Sequence, residues 1–224
     1  MKILHYGLQR SGTNFLETIL KKKYRVKFLN SNQDRSSPLQ KHFRLYDDKE
    51  KIPEDQYKNN LKIPDFYTFE SLLRVVPDYY LVISKDPYSW LLSYKQWAKK
   101  CNWPNVNYHY IEEYNLFYGK WLEFSEQTNR ILFVRYIDLL KAPADELNRL
   151  ESKIGLEKRL LSQLPFSNLV SKVNQSSKFS NSRRDYYLQQ KYLEYYSQEE
   201  LQDINFLLDD KVVSLLGYEK IESN

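Results

Sequence analysis

Apolar residues fall into short runs separated by polar breaks marked by glycine or proline, and the period within the runs changes along the chain. KILHY (2 to 6) has strand length, whereas TNFLETILKK (13 to 22) places Phe15, Leu16, Ile19 and Leu20 on one helical face. Gly7 and Gly12 lie between them, so the order is strand, glycine turn, helix. VKFL continues as a second short strand, and NSNQDRSSP (30 to 38), small, polar and proline-ended, has the composition of a mobile loop. KHFRLY (41 to 46) fits a short strand before a charged, proline-punctuated stretch, and residues 68 to 76 fit a helix.

YYLVIS (79 to 84) is an unbroken apolar run of the kind buried on both faces of a sheet. Asp86 and Pro87 follow as N-cap and first residue of the helix PYSWLLSYKQWAKK. A tyrosine-rich helix over 108 to 127 leads to the strand RILFVRY (130 to 136). Ala142-Pro143 opens a helix to Ile154, and Ser197 with Glu200 forms a capping box in a helical C-terminal third. Strands that alternate with helices need crossover connections, which predicts an α/β fold: a parallel β-sheet flanked by helices on both faces, in one domain over residues 1 to 224.

Composition narrows the function classes. Lys plus Arg number 34 against 29 Asp plus Glu, a net charge of +5 that favours anionic ligands. A single cysteine, Cys101, excludes an intrachain disulfide framework, and no Cys/His cluster has zinc-ligand spacing. No apolar stretch approaches the length of a membrane span, and the first residues lack a signal peptide's apolar core, so a cytoplasmic protein is expected. The 20 tyrosines could stack nucleic-acid bases, but Tyr186, Tyr187, Tyr192, Tyr195 and Tyr196 fall in helical segments, where packing explains them.

The chemistry concentrates at HYGLQRSGTNF. Gly7 and Gly12 have the spacing and the strand-to-helix context of a phosphate loop, in which backbone N–H groups and the helix N-terminus converge on an anion. The Lys-Ser/Thr pair of nucleotide triphosphatases is missing: Thr13 and Asn14 follow Gly12, and the nearby cation is Arg10. Such a loop suits an oxygen-rich anion held without magnesium. A second site begins at the end of the next long strand, in VISKDPYSWLLSY.

Together these segments resemble the sulfotransferases that use 3′-phosphoadenosine 5′-phosphosulfate. QRSGTNF matches their Pro-Lys-Ser-Gly-Thr-Thr-Trp motif in register, with Arg10 at the lysine and Phe15 at the tryptophan. Lys85, Asp86, Pro87 and Ser93 reproduce a second motif with Lys for Arg. FVRYIDLLKAP looks like the Arg-Tyr-Glu-Asp-Leu segment, and LLGY like the C-terminal Leu-Gly-Tyr. The resemblance covers roughly residues 2 to 220 and identifies the chain as similar to a soluble, bacterial-type member.

What the resemblance implies is specific. The donor's 5′-phosphosulfate lies against Arg10, Ser11, Gly12, Thr13, Asn14 and Phe15, and Lys85 and Ser93 hold its 3′-phosphate. Arg10 stabilises the transferring oxygens by charge, and His42, from a Lys-His element, takes the acceptor's proton. Glu17, Asp47 and Asp48 remain rivals for the base, because carbohydrate-directed members use a carboxylate. Arg35, Lys178, Arg183 and Arg184 are further candidate cations. No metal is expected, and the acceptor is expected to be a carbohydrate or other small molecule bearing a hydroxyl or amine, not a nucleic acid. Two other readings stay open: a kinase-like phosphotransferase on the same loop, and a non-catalytic anion- or nucleic-acid-binding module. The helix face of Trp90, Tyr94 and Trp97 has core spacing and is not taken as an acceptor site.

Overall fold

The computed structural model describes residues 1–30, 37–45, 63–103, 105–159 and 181–222. Four strands, β1 (Lys2–Tyr6), β2 (Lys27–Phe28), β3 (Tyr79–Ser84) and β4 (Ile131–Arg135), form one sheet of order β2-β1-β3-β4. Every pairing is parallel, with Ile3 opposite Tyr79 and Tyr80 opposite Ile131. β1 is buried from Ile3 onward and β3 from Tyr80 onward, as continuous apolar strands must be when both sheet faces are covered.

The helices are α1 (Thr13–Lys23), α2 (Phe66–Leu72), α3 (Pro87–Lys100), α4 (Tyr110–Gln127), α5 (Tyr136–Lys141), α6 (Pro143–Ile154), α7 (Asn181–Leu188), α8 (Gln198–Leu207) and α9 (Asp210–Leu215), with a 3₁₀ turn over Lys191–Tyr195. Their boundaries have local causes. Asp65 Oδ1 accepts the Thr68 N–H at 2.7 Å, which starts α2 two residues ahead of the sequence expectation. Ser197 and Glu200 form the expected capping box of α8. His109 and Glu112 form another at α4, which accounts for that histidine. Among the described residues no helix is long and apolar enough to cross a membrane.

Two expectations are corrected. Lys41–Leu45 are not a strand: Phe43 N–H turns back to Gln40 O at 2.9 Å, and the Lys41 carbonyl accepts Gly7 N–H at 3.1 Å. Phe43 and Leu45 are buried all the same, so the alternation that resembled a strand reflects packing without a ladder. After β4 the chain enters α5 at once, at Tyr136, ahead of the proline-started helix at Pro143. The loop composition at 30 to 38 falls mostly on residues 31–36, outside the described residues.

Of the tyrosines expected to pack, Tyr187 and Tyr192 are buried and Tyr186 and Tyr196 lie against the core, whereas Tyr195 is exposed. In the core, Trp121 lies tilted over Tyr6 at a centroid separation of 4.6 Å and edge-on to Phe69 at 5.5 Å. Buried hydroxyls find carbonyls at the C-terminal end of β3: Tyr118 donates to Ile83 O at 3.0 Å and Tyr114 to Lys85 O at 2.9 Å. Residues of the Leu-Gly-Tyr segment return to the same end. Gly217 O accepts from Arg135 Nη1, and the Tyr218 hydroxyl lies 3.2 Å from Ser84 Oγ. Strand order reverses between β1 and β3, so the loops leaving these strands flank the crevice where parallel sheets bind ligands.

Candidate functional site

The first wall of the crevice is the loop from Gly7 to Gly12. A Cβ on Gly7 would lie 2.5 Å from Ser11 Oγ and 2.7 Å from Ile83 O, so only glycine allows the loop to lie against β3. Gly12 has φ 103, and a Cβ there would meet the Tyr136 ring at 2.6 Å. Ser11 N–H closes the turn onto Leu8 O at 3.1 Å, and Ser11 and Thr13 are buried. Gly12 has no side chain to cap α1, whose Phe15 and Leu16 amides turn back to Gly12 O at 3.0 and 3.1 Å, so the helix N-terminus opens on the loop without a side-chain cap. Phe15 is buried edge-on against Tyr136 at 5.6 Å, while Asn14 is exposed and receives the Lys41 ammonium.

Arg10 stands in the left-handed region at φ 72, exposed, with its guanidinium 5.2 Å from the centroid of Trp97 on α3. Trp90 and Tyr94 of the same helix are fully buried, so that face divides into two core residues and one that meets the loop.

The second wall begins where β3 ends. Asp86 Oδ1 accepts Ser89 N–H at 2.9 Å and Pro87 takes the first helical position of α3. Lys85, 3% exposed, donates to Ser93 Oγ at 2.9 Å, Ser89 O at 3.1 Å and the Tyr187 hydroxyl at 3.2 Å. The eight-residue spacing of the motif is therefore a direct contact across two helical turns. Burial lowers the ammonium's pKa; Tyr187 opposes that shift and the charge of Arg10 adds to it. A cleft of about 770 Å³ opens beside Lys85, Ser89 and Tyr187, with Arg135 and Lys141 also on its wall.

His42 comes from the Lys41–Leu45 segment and reaches the loop from outside the sheet. Its Nδ1 lies 2.7 Å from Gly7 O, and a carbonyl only accepts, so Nδ1 carries the proton and Nε2 keeps the lone pair. Burial lowers its pKa to about 3; the Gly7 bond opposes this and the charges of Arg44 and Lys41 reinforce it. The ring is neutral at physiological pH. Glu17, on α1, lies 3.6 Å from His5 Nε2 and 3.7 Å from Lys41 Nζ, and pairs with Lys21. Burial works against its ionisation, but the Lys21 hydrogen bond and the His5 and Lys41 charges hold the carboxyl below its ordinary range.

The structure thus places Arg10, Ser11, Gly12, Thr13, Asn14 and Phe15 at the turn into α1, with His42 of the Lys41–Leu45 segment against Gly7 of that turn, and Lys85 after β3 in contact with Ser93 of α3. Arg184 is used elsewhere: its Nε caps α5 through Leu140 O at 2.7 Å. Arg35, Asp47, Asp48 and Lys178 lie outside the described residues, as does the Arg183 side chain. Sequence reasoning missed Tyr187, which had been assigned to packing, and the buried pair Arg44 and Glu113, which no motif marks. Among the described residues no group of His, Cys, Asp and Glu is arranged to hold a metal ion.

No family model matches the chain, and no curated protein matches it. Solved structures do. Mouse sulfotransferase SULT7A1 complexed with PAP superimposes with a TM-score of 0.52 at 12% identity, over 97% of this chain and 88% of that one. Retinol dehydratase in complex with androsterone and inactive cofactor PAP gives 0.49 at 14% identity, over 92% and 79%. At such identities likeness establishes architecture, and the first of the two carries it: the chain has the α/β sulfotransferase fold.

Proposed function

We propose that this chain is a sulfotransferase that moves a sulfuryl group from 3′-phosphoadenosine 5′-phosphosulfate to a hydroxyl or amine. The observation that carries the reading is the placement of two features, one after β1 and one after β3, on either side of the crevice between those strands. One is a glycine cradle that has an arginine and hydroxyls in place of the magnesium-binding pair; the other is the Lys85–Ser93 contact at 2.9 Å. The second site suits a 3′-phosphate, which ATP lacks. The tight approaches at Gly7 and Gly12 press the loop onto Ile83 and the Tyr136 ring, which fixes the course of its backbone.

The loop from Arg10 to Phe15 and the first amides of α1 would hold the phosphosulfate, and Lys85 and Ser93 the 3′-phosphate. When bound, the donor would supply the sulfuryl group, with 3′,5′-adenosine bisphosphate as the leaving group. Arg10 acts by charge and hydrogen bonds, because a guanidinium does not give up its proton. His42 Nε2, with its tautomer fixed by Gly7 O, accepts the acceptor's proton as negative charge leaves the attacking atom. Glu17 is a weaker candidate, since its carboxylate is engaged by Lys21 and Lys41. A small-molecule or carbohydrate acceptor, a single domain and a cytoplasmic setting belong to the same reading.

Calorimetry tests it with three ligands: 3′,5′-adenosine bisphosphate, ATP with magnesium, and a single-stranded oligonucleotide. Binding of the bisphosphate in preference to the others is expected. ATP binding without bisphosphate binding would sink the reading, and salt-dependent oligonucleotide binding alone would favour the nucleic-acid module.

A further inference from the structure

A buried guanidinium lies at the meeting point of the two halves of the site. Arg44 is 1% exposed and Glu113, on α4, is fully buried. Arg44 Nε and Nη2 both donate to Glu113 Oε1, at 3.0 and 2.8 Å. Nη2 also donates to Gln9 Oε1 at 2.6 Å and to the Tyr94 hydroxyl at 3.3 Å, and Nη1 donates to His42 O at 2.7 Å. Gln9 directly precedes Arg10, and its carbonyl accepts the Trp90 indole N–H at 2.9 Å.

Burying such a pair is costly, and well-packed apolar residues of similar volume commonly serve stability as well or better. The directions of the bonds show what the pair does. One planar fork grips the residue before Arg10 and the carbonyl of His42, while α3 and α4 hold the fork itself. A lysine ammonium is a compact centre and cannot reach Glu113, Gln9 and His42 O at once.

We propose that Arg44, held by Glu113, is a positioning residue that sets the distance and orientation of His42 relative to Arg10. The inference rests on the sulfotransferase reading for its catalytic consequence, and on the structure alone for the geometry. Misplacement of a reacting group by about 1 Å costs on the order of a hundredfold in rate, so a rigid tie between the two is functionally sensitive.

The test uses R44K and the double variant R44M/E113M, which removes both charges and roughly keeps volume, so a fold intact by circular dichroism is expected for at least the latter. Both should lower kcat by about tenfold or more while changing the affinity for 3′,5′-adenosine bisphosphate by less than about threefold. In an H42A background the same changes should cost less than about twofold, because nothing remains to be aligned. The ¹⁵N spectrum of the imidazoles, with His42 assigned through H42A, should show a single Nδ1–H tautomer in the wild type and a tautomer mixture in R44M/E113M. Equal losses with and without His42, a loss confined to bisphosphate affinity, or an unchanged kcat would overturn the proposal. If the wild type binds no bisphosphate the functional reading falls, and the positioning inference is then decided by the spectrum: an unchanged His42 tautomer in the double variant refutes it.

Discussion

His5 provides a measurable link between burial and acid sensitivity beneath the phosphate loop. It lies on β1, fully buried, with Nδ1 2.7 Å from Asn30 Oδ1 and its ring edge-on to Phe28 at 4.8 Å. Burial lowers its pKa from 6.5 to about 4, with Glu17 opposing the shift and Lys41 adding to it. The folded-state value lies below the unfolded one, so the unfolded chain binds the extra proton between them. The resulting stability is fully present above about pH 6.5 and is lost as pH falls toward about 4. Each pH unit in that window is worth about 1.4 kcal/mol per proton, so a move from about pH 7.5 to about pH 5 should cost roughly 2 kcal/mol through His5 alone. Urea unfolding followed by tryptophan fluorescence at both pH values, for the wild type and His5→Gln, measures it. The intrinsic cost of the substitution and the contribution of His42 are common to both arms and cancel, so the variant should lose about 2 kcal/mol less than the wild type on acidification. Equal losses in the two proteins would refute the assignment of a buried neutral imidazole.

Arg10→Ala should reduce turnover by about a hundredfold or more with the melting temperature nearly unchanged, because the residue is exposed and its proposed role is charge stabilisation; steady-state kinetics and a thermal melt check both halves. Ser93→Ala removes a hydrogen bond to a charged group and should weaken bisphosphate binding by about ten- to a hundredfold, read by calorimetry. For the pH profile, the neutral form of His42 is required and its pKa is lowered to about 3, so kcat/KM should stay flat from about pH 5 to 7 on its acid side; an inflection near 6.5 would place the imidazole in water.

The strands were legible because their apolar runs are unbroken: KILHY and YYLVIS correspond residue for residue to β1 and β3. The two candidate anion sites were legible because each depends on local rules, a glycine pair at a strand-to-helix turn and an eight-residue spacing that proves to be one hydrogen bond. The tie between them was not. Arg44 and Glu113 are 69 residues apart and meet only once the sheet has closed, and a lone Arg in an alternating segment carries no periodic signal. Tyr187 escaped for a related reason: its spacing is that of a packing residue, yet it lies over an ammonium from 102 positions earlier. KHFRLY misled because alternation reports which side chains are buried, and here the backbone satisfies itself through turns and Gly7.

The return of Gly217 and Tyr218 to the ends of β4 and β3 has a consequence for synthesis. A ribosome that has just completed β4 has synthesised all four strands, the Gly7–Gly12 loop and Lys85. Arg135 then still lacks the Gly217 carbonyl, Ser84 lacks the Tyr218 hydroxyl and Lys85 lacks Tyr187. The crevice is therefore drawn early and sealed late, and the nascent chain passes through a period in which the lysine that folding buries at the end of β3 has not yet met its tyrosine partner.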